Sequence, residues 1–304
     1  MTTPAAARAR IRIGAHMSTA GGVTRAVERA VLHGCEALQI FAKNNARWRA
    51  APIDPDEARR FRDAVTAAAL APAVSHASYL INLAAPPGAL RDQSIAAFID
   101  EIDRADLLGL HGVVVHPGVA AAGISEDEAL RLVAAALGAV FAARPRSQAL
   151  VLLEHTAGQG RSIGHRFDHL AAILGGVDGS SRVGVCLDTC HLIAAGYDIA
   201  TPKGYASTFT DFAREVGLGR LKLIHANDSK RPLGSRLDRH EHIGEGHVGI
   251  DAFRRIARDP RFAHLAMVIE THKTPGICDH PRRPQIDPLD RMNLETLRRL
   301  RRRA

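Results

Sequence analysis

Absences narrow the chain before any motif is considered. In 304 residues there is no apolar run long enough to span a membrane, and the opening MTTPAAARAR has nothing like the hydrophobic stretch of a secretory signal. A soluble, cytoplasmic protein without membrane contact is therefore expected. The four cysteines, Cys35, Cys186, Cys190 and Cys278, form no CxxC pair and no even ladder of spacings. That excludes a disulfide framework and a thiolate zinc site, and it fits a reducing compartment. No linker, low-complexity block or change of composition divides the chain, so one domain over residues 1–304 is expected rather than two.

What is present begins with bulk properties. A hydrophobic content of 46% supports a sizeable core. Forty Lys and Arg against 32 Asp and Glu give a formal charge of +8, which favours a polyanionic partner, although an arginine-rich composition alone produces the same balance.

Eight short β-branched or apolar runs recur along the chain: IRIGAHM from Ile11, ALQIFAK from Ala37, PAVSHAS from Pro72, GVVVHPG from Gly112, LVLLEHT from Leu150, VGVCLDT from Val183, LKLIHAND from Leu221 and AMVIETH from Ala266. Each is followed by a longer segment with helical periodicity, such as DEARRFRDAVTAAAL or RDQSIAAFIDEIDRADLLGL. The alternation predicts parallel βα units closed into a single (β/α)8 TIM-type barrel, with a motif-bearing core over 11–272. The arginine-rich end, LETLRRLRRRA, reads as the exposed part of a final helix over about 286–304, and the Pro- and Gly-containing connection from Thr271 to Pro288 reads as loop.

The informative feature is what closes those runs. His76 ends the third, His116 the fourth, Glu154 the fifth, Asp188 the sixth, His225 the seventh and Glu270 the eighth. In a TIM-type barrel the C-terminal ends of all strands converge on one face, so these six residues meet around one pocket. A single His or Asp at a strand end is usually a satisfied polar group or helix cap, whereas three carboxylates and three imidazoles together are costly to bury unless cations balance them. Bound metal follows. Asp188-Thr-Cys-His191 adds His191, and Asp238-Arg-His240 adds two residues that point to one side of an extended loop, where they chelate one ion with His191. These nine ligands suffice for three ions if a carboxylate bridges two. Imidazole and carboxylate without thiolate favour Zn²⁺, with Mn²⁺ or Fe²⁺ as alternatives at individual positions, and the few ligands per ion leave positions open for substrate, as in a catalytic site.

Several motifs now combine: GAHMSTAGG from Gly14, SYLINL from Ser78, LEHTAGQG from Leu153, VGVCLDTCHLIAAGYD from Val183, HANDSK from His225 and SRLDRHEHIGEG from Ser235. Together they closely resemble the endonuclease IV family of apurinic/apyrimidinic endonucleases from about Ile11 to Glu270. The resemblance implies a trinuclear zinc barrel, a deoxyribonuclease of base excision repair that hydrolyses the phosphodiester 5′ to an abasic site and leaves a 3′-hydroxyl. His76, His116 and Glu154 would hold one ion, Glu154, Asp188, His225 and Glu270 a second, and His191, Asp238 and His240 the third. Glu154 would bridge two ions and position the attacking hydroxide, and with Glu270 it takes the catalytic role. The partner is then double-stranded DNA with abasic sites or damaged 3′ ends, in a cytoplasmic, nucleoid-associated setting, with no obligate protein partner indicated. Ala46 stands where the family often has a DNA-inserting arginine, His155 stands for a frequent asparagine, and the segment after Glu270 is longer.

Tyr79, directly after the third strand run, is read as filling the gap left by an extruded nucleotide. Lys43, Asn44 and Arg47 in KNNARW, Lys230 in HANDSK and Arg239 in DRH are assigned to the same DNA face, Arg47 as the substitute for the missing probe at Ala46. Trp48 is read as packing. GEGHVG over Gly244 to Gly249 formally fits GxGxxG but lacks the strand such a fingerprint needs, and the Asn227-Asp-Ser229 sequon carries no meaning in a cytoplasmic protein. His16 is read as lining the pocket without binding metal. A metal-dependent sugar isomerase or epimerase on the same barrel is the rival reading, and a non-catalytic DNA-binding protein the third. The Asp238/His240/His191 set has no role in the isomerase, and open coordination positions argue against mere binding.

Overall fold

The computed structural model describes residues 10–178, 180–277, 280–281 and 283–302. Cys278 and residues 303–304 of the expected basic terminus lie outside the described residues. Each of the eight runs holds one barrel strand: β1 (Arg12–His16), β2 (Ala37–Ile40), β3 (Ala73–His76), β4 (Gly112–Val115), β5 (Leu150–Glu154), β6 (Val183–Asp188), β7 (Leu221–His225) and, after a small ribbon of β8 (Asp228–Ser229) and β9 (His240–Glu241), β10 (Ala266–Ile269). The barrel closes in the order β1-β10-β7-β6-β5-β4-β3-β2, every pair parallel, while β8 and β9 pair antiparallel at its mouth.

The helices between them are α1 (Val23–Leu32), α2 (Pro55–Ala67), α3 (Ala89–Leu108), α4 (Glu126–Ala143), α5 (Phe167–Gly176), α6 (Thr189–Ala195), α7 (Pro202–Glu215), α8 (Ile250–Arg258) and α9 (Pro288–Arg301). Local chemistry starts several of them. Asp54-Pro55, Thr201-Pro202 and Asp287-Pro288 each place a capping oxygen before a proline whose φ already suits the first turn, and each oxygen accepts a backbone N–H of that turn. Asp188 does the same for α6, accepting from the His191 N–H at 3.0 Å, so one carboxylate both ends β6 and starts the helix that carries His191.

Two apolar layers follow from the period of two in a strand. One set of side chains, including Ile13, Leu38, Val113, Val151 and Val185, packs outward under the helices. The alternate set, Ala37, Val74, Val114, Leu152, Cys186, Leu223, Ala266 and Val268, fills the barrel interior. Gly14 takes the corresponding place on β1. A Cβ there would lie 2.1 Å from the Ala37 carbonyl oxygen, so glycine is what allows β1 and β2 to approach.

Candidate metal centre at the barrel mouth

Two residues beyond each interior position, the side chain again points inward, now at the C-terminal mouth. The step from Gly14, Ala37, Val74, Val114, Leu152, Cys186, Leu223 and Val268 gives His16, Gln39, His76, His116, Glu154, Asp188, His225 and Glu270. Every barrel strand therefore contributes one polar residue to a continuous ring above an apolar plug. Six of the eight were legible as metal-type ligands. His16 and Gln39 complete the ring.

Glu154 sits at its centre, 1% exposed as a side chain. Its Oε2 lies 3.0 Å from His76 Nε2 and 3.0 Å from His116 Nε2, and its Oε1 lies 3.0 Å from His225 Nδ1 and 3.5 Å from His191 Nδ1. Burial works against the charge, but the imidazoles of His225 and His116 overcome it and hold the carboxyl well below its ordinary range. Glu270 approaches His225 Nδ1 at 3.1 Å and is likewise lowered, with His225 and His16 outweighing burial. The effect on the rings is reciprocal. Burial disfavours protonated His191, yet Asp188 and Asp238 push it well above the ordinary value. Against the same penalty, Asp188 and Asp238 raise His240 to about 9.

Among the described residues four groups have ligand atoms within 4.8 Å of one another: His76 with His116 and Glu154; Glu154 with Asp188, His225 and Glu270; His191 with Asp238 and His240; and Asp188 with Cys190 and His240, which overlaps two of the others. Burial pushes the Cys190 thiol up to about 12. The rings are oriented for coordination. His76 Nδ1 donates to the Ala77 carbonyl at 2.8 Å and His191 Nδ1 to the His155 carbonyl at 2.8 Å, so each turns its Nε2 inward, the atom a metal would take.

The buried Nε2 atoms of His191 and His240 have no hydrogen-bond partner although each lies 3.2 Å from an Asp238 oxygen. In the neutral rings that a metal requires, each Nε2 lone pair would face a carboxylate oxygen at that distance, buried and unbridged, at a cost. A cation between them removes the cost. The residues present thus fit divalent metal, and the donor set of imidazole and carboxylate is one that borderline cations such as zinc accept.

The residues assigned to a DNA face divide. Tyr79 is 64% exposed at the mouth, its ring 5.6 Å from that of His76 and 6.4 Å from that of His116, and it lines a 240 Å³ cavity with Asn82, Val119, Gln159, Asp238 and Arg239. Asn44, Arg47 and Arg239 are exposed, and Lys230 is exposed with Glu241 3.8 Å away. Lys43 does not join them. Its ammonium is 1% exposed, bound to Asp100 Oδ2 at 2.8 Å and the Ala97 carbonyl at 3.2 Å, with Glu101 3.5 Å away. The expected DNA contact is instead an internal tie from the β2 loop to α3, because two acidic residues of that helix desolvate and neutralise it.

Trp48 packs against the core as expected. His155 is buried, its Nε2 3.0 Å from the His165 carbonyl, and burial with neighbouring His191 lowers it to about 3, so it is a neutral ring behind the site. Asn227 and Asp228, read in the sequence only as part of HANDSK and of a sequon without meaning, both support the site. Asn227 donates from Nδ2 to Asp188 at 2.6 Å and accepts the Glu270 N–H at 2.8 Å, bracing two ring carboxylates. Fully buried Asp228 accepts backbone N–H groups of Ser229 and Val248 at 2.8 Å and Gly244 at 2.9 Å. The GEGHVG segment is thus a wrap around one carboxylate. Gly246 is required because a Cβ there would meet the Ser229 carbonyl oxygen at 2.4 Å.

Fold and site together define a xylose isomerase-like TIM barrel with a multi-residue metal centre, and the family of that description matches residues 27–300. A protein named probable endonuclease 4 from Chloroflexus aurantiacus is 48% identical over 289 residues, covering 95% of this chain and 98% of the relative. Another of that name from Geobacter sp. strain M21 is 44% identical, covering 95% and 98%. The crystal structure of endonuclease IV from Thermus thermophilus superposes with a TM-score of 0.82 at 37% identity, covering 95% of this chain and 98% of that one. The chain belongs to the endonuclease IV family. A D-tagatose 3-epimerase-like protein shares the barrel at a TM-score of 0.69 but only 18% identity, a likeness of fold alone. No helix among the described residues is long and apolar enough to cross a membrane.

Proposed function

We propose that this protein is a zinc-dependent apurinic/apyrimidinic endonuclease that hydrolyses the phosphodiester 5′ to an abasic site in duplex DNA and leaves a 3′-hydroxyl. The observation that carries the reading is the sharing of Glu154 between two ligand groups, His76 with His116 and Asp188 with His225 and Glu270, so that one carboxylate would serve two adjacent cations. His76, His116 and Glu154 would hold one ion, Glu154, Asp188, His225 and Glu270 a second, and His191, Asp238 and His240 the third. When bound, divalent zinc supplies charge neutralisation on the phosphodiester and lowers the pKa of the attacking water.

This chain's residues supply the rest. Glu154, ionised and central, orients the nucleophile's proton toward a carboxylate oxygen, and Glu270 fixes the neighbouring edge. Tyr79 presents an aromatic face beside the site, where it occupies the gap of an extruded abasic nucleotide. Its phenol is neutral beside phosphate at neutral pH. Asn44, Arg47, Lys230 and Arg239 line the approach of the DNA backbone.

An end-labelled duplex with one abasic analogue tests the proposal. Incision 5′ to the lesion, abolished by chelator and restored by zinc, is expected. Equal cleavage of intact duplex, or isomerisation of a free sugar without cleavage, would refute it. Elemental analysis of protein purified without chelator should approach three zinc ions per chain, and one or none would refute the cluster.

A further inference from the structure

One member of the mouth ring is neither a metal-type ligand nor charged. Gln39 ends β2 fully buried, in register with His16 of β1. Its carboxamide is fully used: Oε1 accepts from His225 Nε2 at 2.8 Å, Nε2 donates to Glu270 Oε1, and the same nitrogen reaches His16 Nδ1 at 3.0 Å. The carboxylate decides the amide's orientation, since the reverse would set two oxygens against each other.

That orientation propagates. An amide oxygen facing His225 Nε2 obliges this nitrogen to carry the ring proton, which leaves Nδ1 as the lone pair. Nδ1 is the atom that lies 3.0 Å from Glu154 Oε1 and 3.1 Å from Glu270 Oε2. One amide therefore fixes the tautomer of one residue and the rotamer of another, and both belong to the group Glu154, Asp188, His225 and Glu270.

We propose that Gln39 is a positioning residue of the metal centre, setting the affinity of this one cation position by holding His225 and Glu270 without touching the cation. The inference rests on the metal reading given under Proposed function. Neither a hydrocarbon nor a carboxylate substitutes for the amide. The first leaves a buried His225 N–H unpaired, and the second sets like charge against Glu270.

The test uses the full-length protein loaded with zinc. The parent, Gln39→Met (similar length, no polar atoms) and Gln39→Asn (the same amide, one methylene short) are equilibrated against a graded series of buffered free zinc. Bound zinc per chain is counted at each step, and thermal stability is measured for loaded and stripped forms. In both variants one of three binding steps should weaken by about 10–100-fold, with the other two unmoved, as loss of a ligand-orienting partner predicts. Binding steps identical to the parent's, or all three weakened together, would overturn the assignment. So would a loss of stability equal in loaded and stripped protein. If Gln39→Met does not fold, Gln39→Asn decides, and failure of both to fold assigns Gln39 to the barrel and overturns the proposal. A parent that binds no zinc overturns the metal reading itself, and with it this inference.

Discussion

The two ends of the barrel are both polar, yet they satisfy their polar groups in opposite ways. At the N-terminal end arginines close on carbonyls and carboxylates of the turns that precede the strands. Arg12 donates to the Ala71 carbonyl at 2.6 Å, Arg298 to those of His33 and Gly34 at 2.6 and 2.7 Å, and Arg301 to that of Ile11 at 2.8 Å and to Glu36. At the mouth, buried ring nitrogens of His191 and His240 have no hydrogen-bond partner, and carboxylates crowd around imidazoles. One end closes several of its arginines on protein groups; the other gathers the groups that cations would balance. The formal +8 therefore says less about DNA than it first suggests, since part of the arginine excess clamps turns on the face away from the site. Arg298 and Arg301 turn what reads as an exposed basic tail into a clasp on α1 and β1.

The largest effect expected from that contrast is at Glu154. Glu154→Gln keeps the shape but removes the charge that faces four imidazoles, so incision of abasic duplex should fall at least about 100-fold, at or beyond the upper range for loss of a residue that supports a metal. Gel-shift affinity for the same duplex should stay within a few-fold, because the exposed residues proposed to meet DNA are untouched. A fall in rate of less than about tenfold would remove Glu154 from the centre of the mechanism.

Stability against pH separates the two ends next. In metal-stripped protein His240 holds its proton to about 9, Asp188 and Asp238 prevailing over burial, whereas in the unfolded chain a histidine loses it near 6.5. A group with a raised folded value stabilises fully below the unfolded value and loses that contribution as pH rises through the folded one. Stripped protein should therefore melt progressively lower between about pH 6.5 and 9. Zinc needs those nitrogens unprotonated, so loaded protein should not follow. At saturating zinc the gap should reach roughly 10 °C, from about 4 kcal/mol of linkage and a few degrees per kcal/mol. Arg301→Ala serves as the control from the other end. It should lower both forms alike, and a change in the gap itself would deny the separation between the ends.

The fold was legible because eight apolar runs of strand length alternate with helical periodicity, and six of them stop at a residue of metal-ligand type. Of the other two members of the ring, His16 was legible as lining the pocket and Gln39 was not. Gln39 lies inside a run chosen for its hydrophobicity, and its place in the ring depends on register two residues beyond Ala37, which no residue type announces. Lys43 shows the opposite failure. A lysine in a basic loop reads as surface charge, but its partners Asp100 and Glu101 are far along the chain and meet it only when the fold brings α3 against the loop after β2. Asp228 and GEGHVG are separated by the loop that carries Asp238 and His240, so the carboxylate and the amides that enclose it are not adjacent in sequence.

The smallest effect belongs to Arg47, and it tests whether the mouth reaches DNA beyond its metal centre. Ala46 has no side chain that can enter a groove, and its N–H is turned back onto Asn44 Oδ1 at 2.9 Å while the Arg47 N–H bonds the Asn44 carbonyl at 3.2 Å. That tight turn exposes Arg47, and among the described residues no carboxylate pairs with it. The geometry favours an arginine free to meet the DNA over one consumed by a surface ion pair. Two roles remain distinguishable. As a phosphate contact, Arg47 contributes equally on any duplex, and Arg47→Ala would weaken abasic and intact DNA in proportion and flatten the salt dependence. As a probe inserted where the duplex is interrupted, it contributes only at the lesion, and the ratio of the two affinities would fall. At one fixed salt concentration we expect that ratio to drop by roughly 5–10-fold, about the 1 kcal/mol of a modest wedge contact. An unchanged ratio would leave Tyr79 alone to recognise the gap, and Tyr79→Ala measured in the same way would then carry the whole selectivity.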